Sequence, residues 1–160
     1  MQEGNHPPAK WRNVVFGCVA LIVVLVDQLS KTWIRANLHE NQSLFDAGFF
    51  QIIRINNTGA AFGIFRGHSP TLAVIASIGV VAILLLVFVW RHRWSFLDSL
   101  LVRAGIGLIL GGTIGNLIDR IRLGQVTDFI NFKIWPAFNV ADSAVTIGVI
   151  IIASSIILHA

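Results

Sequence analysis

Between Thr71 and Trp90 the chain carries no charged residue. At 1.5 Å per residue, a run of that length crosses the ~30 Å hydrocarbon core of a bilayer as one α-helix. Trp90 followed by Arg91, His92 and Arg93 closes it as an interfacial anchor. Three further runs repeat the pattern. Val14 to Val26 is apolar or small throughout and continues in helical phase through Asp27, Gln28, Lys31 and Trp33, while Leu100 to Ile118 and Val140 to Leu158 are almost free of charge. The sequence therefore predicts helices at about 14–33, 71–90, 100–118 and 140–158, with Ser95 or Asp98 as candidate cap of the third.

Composition agrees with a membrane all-α core. The 160 residues are 55% hydrophobic and 12% charged, about half the charge of a soluble domain, so a single integral membrane domain over 1–160 accounts for the chain. The net charge of +4 does not call for nucleic acid, because the basic residues stand singly or in pairs beside the apolar runs. Membrane lipid headgroups are their expected contacts. Residues 1–13, which include two prolines, are expected to be a flexible cytoplasmic tail ending in an anchor at Trp11 and Arg12. Cys18 is the only cysteine; it can form no internal disulfide and reads as a small packing residue. An even number of spans puts both termini on one side, and the basic residues in short loops near the helix ends favour termini inside.

Two polar excursions are left on the opposite side. In the first, Phe49 to Ile55 has strand composition and is stopped by Asn56-Asn57-Thr58-Gly59, after which small residues and spaced phenylalanines follow at Ala60 to Phe65. Leu38 to Gly48 carries no clear signature. The second runs from Asn116 to Asp142. Glycines at 107, 111 and 115 recur every four residues along the third helix and lead to Asp119, which this spacing aims into the bundle. A neighbouring stripe holds Gly112, Asn116 and Arg120. Asp119 beside Arg120 reads as an ion pair, and Asp27 and Lys31, one helical turn apart, as another. After a turn at Gly124 comes a strand candidate in which Val126, Asp128, Ile130 and Phe132 share a face.

Three carboxylates thus gather in one excursion at the rim of an apolar slab, where each is costly and marks a candidate site. Apolar neighbours should raise the pKa of Asp128, whereas the N–H groups of a helix start favour a charged Asp142. Carboxyl groups with opposed environments suit acid–base chemistry. If the loop folds back so that the two face each other, they can share one proton and orient a water for attack on an amide, with no metal or other cofactor and no covalent intermediate. A helix cap is the plainer account of Asp142 alone. It leaves unexplained why Asn57, Asn116, Arg120 and Asn139 gather at the same end with amide and guanidinium donors suited to an extended peptide backbone. Two other readings stay open. A metal-dependent phospholipid headgroup transferase would want its carboxylates one turn apart on one helix, and a proton-coupled transporter would want polar residues at mid-membrane.

The motifs DQLSK (Asp27 to Lys31), NNTGAAFG (Asn56 to Gly63), GGTIGNLIDR (Gly111 to Arg120), VTDFINF (Val126 to Phe132) and WPAFNVADS (Trp135 to Ser143) occur in that order. Together they resemble the successive signatures of the bacterial lipoprotein signal peptidase, signal peptidase II, over roughly Val14 to Leu158. The resemblance implies four transmembrane helices with a small extracytoplasmic β-cradle, and an aspartic endopeptidase of the inner membrane. Such an enzyme cleaves prolipoproteins just before their diacylglyceryl-modified cysteine. Carried over by position, Asp128 and Asp142 would be catalytic. Asn57, Gly59, Asn116, Arg120 and Asn139 would line the substrate site, with Asp27, Lys31 and Asp119 in support. It further implies both termini in the cytoplasm, a site near the outer face, a monomer, no metal, and inhibition by globomycin-type cyclic peptides.

Overall fold

The computed structural model describes residues 8–59, 65, 67–90, 97 and 99–159. In chain order its elements are helix α1 (Ala9–Asn37), strands β1 (Ser43–Asp46) and β2 (Gln51–Asn57), helices α2 (Ser69–Phe88) and α3 (Leu100–Leu123), strand β3 (Val126–Asn131) and helix α4 (Val140–His159). All four helices are long and apolar enough to cross a membrane. Each contains one expected span, but the boundaries differ for local reasons. α1 extends the expected 14–33 at both ends, because polar residues end an apolar run without ending a helix. At its start, Trp11 and Arg12 donate their N–H groups to the Pro8 carbonyl, so residues 9–13 of the expected flexible tail are helical. Residues 1–7 of that tail lie outside the described residues.

α3 runs five residues past the expected Ile118 and stops at Gly124, whose φ of 71° is the left-handed conformation that glycine adopts without penalty. α2 starts two residues early, with proline in its first turn, where no N–H partner is needed. Ser99 holds the N-cap position of α3. The candidate caps Ser95 and Asp98, the anchor 91–93 and residues 60–64 lie outside the described residues.

α3 is the hub against which the other three helices pack. In hydrocarbon, burying an apolar side chain gains little over leaving it in lipid, so close backbone approach and polar contacts must hold the helices together. The glycines supply that approach. A Cβ on Gly107 would lie 2.7 Å from the Phe16 carbonyl oxygen and one on Gly111 2.6 Å from that of Ala20, both on α1. On the other flank a Cβ on Gly112 would strike the Ala141 carbonyl of α4. At the end where the chain begins, Phe16, Ala20, Val87, Leu97, Val102, Ile106 and Leu110 form an apolar cluster. Arg103 is buried beside it, donating to the carbonyls of Leu97 and Val87 and so satisfying the end of α2.

At the other end stands a three-stranded antiparallel sheet in the order β1-β2-β3. β1 falls in the stretch that carried no clear signature. The sheet is seated on α1 by a second apolar cluster of Ile34, Leu38 and Phe129, and Arg54 of β2 donates to the terminal carbonyls of Arg35 and Leu38. Phe50 packs against Phe45 and Phe132, and Phe132 against Phe138, in an aromatic row along the sheet. Lys133 reaches over to Asp46 at 2.8 Å, and this bond holds the Asp46 carboxyl below its ordinary range.

Gly112→Ala should lower the thermal unfolding midpoint in detergent, by the equivalent of about 1–3 kcal/mol for forced overpacking. Gly79→Ala, with open space around its would-be Cβ, should leave the midpoint unchanged or slightly raised.

Candidate active site

Asp128 and Asp142 are brought together by a fold-back. After β3 the chain turns through Lys133, whose φ is 59°, and returns so that Ile130 and Phe138 exchange both backbone hydrogen bonds at 2.9 Å. That register sets Asn139 beside Asp128 and starts α4 one residue later. The Asn139 amide then connects the two acids. Its Nδ2 donates to Asp128 Oδ1 at 2.7 Å, its Oδ1 accepts the backbone N–H of Asp142 at 3.0 Å, and its own backbone N–H donates to Asp142 Oδ2 at 3.2 Å.

Each remaining carboxylate oxygen meets another asparagine. Asn57 lies opposite Val126 in the sheet, on the face that Val126 shares with Asp128, and donates to Asp128 Oδ2 at 3.0 Å. Asn116 of α3 donates to Asp142 Oδ1 at 2.7 Å. Gly59 donates its N–H to Asn57 Oδ1, which fixes which end of that amide faces the acid.

The carboxyl of Asp128 is raised from 3.8 to about 7. Burial is the main cause and the charge of Asp142 adds to it, against the lowering effect of the bonds from Asn57 and Asn139. The upward direction expected from the apolar neighbours is thus present, and the opposite face is buried as well: Val126, Thr127, Asp128 and Phe129 are all enclosed, because both faces of β3 are covered.

Asp27, Lys31 and Asp119 form one buried cluster. Lys31 Nζ lies 2.8 Å from Asp27 and 3.4 Å from Asp119, and also donates to Asn116 Oδ1 at 2.8 Å. The Asp27–Lys31 pair is therefore present, but it lies inside the bundle, fully enclosed. The expected Asp119–Arg120 pair is not formed. Successive helical residues point about 100° apart, and Asp119 faces inward to Lys31 and Arg35 while Arg120 turns to the Gly59 and Asn116 carbonyls. Gly115 leaves the room Asp27 needs, since a Cβ there would lie 2.6 Å from Asp27 Oδ2.

The sequence reading assigned no part to Gln28, Arg35 or Thr127. Gln28 Nε2 donates to Asp27, Gly115 and Asp119, and Arg35 joins Asp119 to the Thr127 hydroxyl. The signal for Arg35 was its place one turn after Lys31 and two after Asp27, on the same helical face.

The signal peptidase (SPase) II family profile matches residues 19–158. The chain belongs to the signal peptidase II family. It is 50% identical over 139 residues to a lipoprotein signal peptidase of Dehalococcoides mccartyi, covering 87% of this chain and 86% of that one. It is 40% identical over 146 residues to one of Moorella thermoacetica, covering 91% and 94%. Among solved structures, a bacterial membrane enzyme determined by the in meso method at 2.3 Å superposes with a TM-score of 0.78 at 32% identity, over 88% of this chain and 85% of that one. A second, at 1.9 Å, gives 0.75 at 33% identity, over 87% and 90%. Signal peptidase II is an aspartic peptidase, and in this chain Asn139 joins two aspartates, Asp128 and Asp142, in one hydrogen-bond network.

A raised folded-state pKa means that the folded protein holds a proton that the unfolded chain releases. Asp128 therefore costs no stability below about pH 4 and progressively more as pH rises toward about 7. Asp128→Asn should gain in unfolding midpoint relative to the unsubstituted protein between pH 4 and pH 8. A gap that stays constant over that range would contradict the burial of this carboxyl.

Proposed function

We propose that Asp128 and Asp142 act as a catalytic dyad that hydrolyses the peptide bond before the lipidated cysteine of a diacylglyceryl-modified prolipoprotein. The chain is a signal peptidase II, which removes signal peptides from prolipoproteins; the proposal concerns which groups do so. The observation that carries it is the Asn139 bridge: its side-chain amide holds the Asp128 carboxyl and its backbone N–H holds the Asp142 carboxyl, so one residue fixes the orientation of both. Two neighbouring acids cannot easily both ionise, so the pair holds one proton and titrates jointly. The charged member takes a proton from a water between them as its oxygen attacks the scissile carbonyl carbon, and the shared proton passes to the carbonyl oxygen. As the tetrahedral intermediate collapses, a proton moves to the leaving nitrogen and the C–N bond breaks. The signal peptide leaves with a new carboxyl group and the lipoprotein with a free cysteine amine.

Of the five residues assigned to substrate, Asn57, Asn116 and Asn139 already donate to the dyad and hold it for the peptide. Gly59 and Arg120, joined by one long bond of 3.3 Å, are the groups that would exchange that bond for the extended backbone of the peptide. Asp27, Lys31 and Asp119 support them from beneath. In this reading the enzyme acts as a monomer. Globomycin-type peptides would compete for the same groove. In the bacterial inner membrane both termini face the cytoplasm and the dyad lies near the outer face, where a lipidated substrate can arrive with its acyl chains still in the bilayer.

Asp128→Asn and Asp142→Asn should each reduce cleavage of a lipidated prolipoprotein by ~10³-fold or more, the scale of general acid–base catalysis, with helical content unchanged and no effect of chelators on the unsubstituted enzyme. Normal turnover by either variant would remove the assignment. A fluorescent protein fused to the C-terminus should fold and fluoresce in the cytoplasm; a dark fusion, with a periplasmic reporter active at the same place, would invert the topology.

A further inference from the structure

Each aspartate of the proposed dyad directly follows a residue whose backbone N–H is held by a buried carboxylate. Thr127 donates to Asp119 Oδ2 at 3.1 Å, and Ala141 donates to Asp27 Oδ1 at 3.0 Å. Those two carboxylates come from different helices, yet both meet the same ammonium: Lys31 Nζ lies 2.8 Å from Asp27 Oδ2 and 3.4 Å from Asp119 Oδ2. An ammonium has three hydrogens. The third goes to Asn116 Oδ1 at 2.8 Å, an oxygen that also accepts from Asn139 Nδ2 at 3.1 Å. With two donors on its oxygen, the Asn116 amide can only turn its nitrogen toward Asp142, which it meets at 2.7 Å.

We propose that Lys31 is the positioning residue of the dyad, a single ammonium that sets the separation and mutual orientation of Asp128 and Asp142. It acts through Asp119 and Thr127 on one side, through Asp27 and Ala141 on the other, and through the Asn116 amide between them. The proposal rests on the dyad assignment. A buried ion pair kept only for stability is a poor bargain against well-packed apolar residues, and it would have no reason to touch the residue preceding each acid. Lys31 has no exposed surface, so water does not compete for its hydrogens and all three directions are fixed. The charged groups around it are Asp27 on its own helix, Asp119 from α3, Asp142 from α4 reached through Asn116, and Asp128 from β3. The other cations nearby, Arg35 and Arg120, are bonded to Asp119 and to backbone carbonyls respectively.

The test is the double variant Asp27→Asn/Lys31→Met, which removes one charge of each sign and keeps an oxygen acceptor for the Ala141 N–H. With the dyad no longer held to gauge, kcat on a lipidated prolipoprotein should fall by about 100-fold, the scale of a misplacement near 1 Å. KM should stay within about threefold, because Gly59 and Arg120, the groups assigned to the peptide backbone, bond to each other and to the Asn116 carbonyl rather than to Asp27 or Lys31. The acid limb of the pH–rate profile should move upward, since the cation that favours the charged dyad is gone. Asp119→Asn keeps the Asp27–Lys31 pair and an acceptor for the Thr127 N–H; it should lower kcat about 10-fold with KM held, and its acid limb should move downward, because the ammonium stays while a neighbouring negative charge is lost. Unaltered kcat and pH profile in either folded variant would overturn the role of Lys31. If Asp128→Asn and Asp142→Asn were inactive at the same time, the dyad itself would stand.

Discussion

The polar interior of this protein depends on how closely three apolar helices can approach one another. Lipid offers no hydrogen bonds, so a carboxylate or ammonium within the bundle must be surrounded by protein partners at short range. α1 and α4 reach that range only because α3 presents glycine to each of them, at Gly107 and Gly111 on one flank and at Gly112 on the other. Gly115 serves both purposes, since the space its missing Cβ leaves is filled by the Asp27 carboxylate. Packing and chemistry are therefore not separate layers here. The backbone approach that holds the helices together is also what makes the enclosed cluster of Asp27, Lys31 and Asp119 possible.

The sheet and the bundle meet at that cluster. Asp119 belongs to α3 but holds the backbone of β3, and Asp27 belongs to α1 but holds the first turn of α4. A small sheet standing on a helix end would ordinarily be mobile, its edges weakly held. Arg54 over the last carbonyls of α1 and the apolar contact of Ile34, Leu38 and Phe129 give it a second and third attachment. Asp128 thus sits on a strand that three elements constrain, which suits a group whose orientation decides its chemistry.

The four spans, the inward direction of Asp119 and the burial of Asp128 were legible in the sequence, because each rests on a local signal: an uncharged run, a four-residue glycine spacing, a carboxylate among apolar strand residues. What the sequence concealed is of two kinds. Helix ends were misjudged where polarity changed without a breaker, as at Ala9 and after Ile118. Partner choice was misjudged where adjacent residues suggested a bond that helical geometry forbids, as for Asp119 and Arg120. β1 and the roles of Gln28, Arg35 and Thr127 depend on contacts between residues up to 92 positions apart, for which no local pattern speaks. The fold-back through Phe138 belongs with these, since nothing local says that residues 132–138 return to pair with the strand they have just left.

Asn139 occupies a position with a bearing on chemical ageing. An asparagine exposed in a loop is prone to lose its side-chain amide over time, and such a loss here would insert a third acid between two that already repel one another. The residue is fully enclosed, is followed by the branched Val140, and has its amide held by four neighbours. The same enclosure that seats Asn139 between Asp128 and Asp142 thus shields its amide from hydrolysis, so one burial serves both placement and durability.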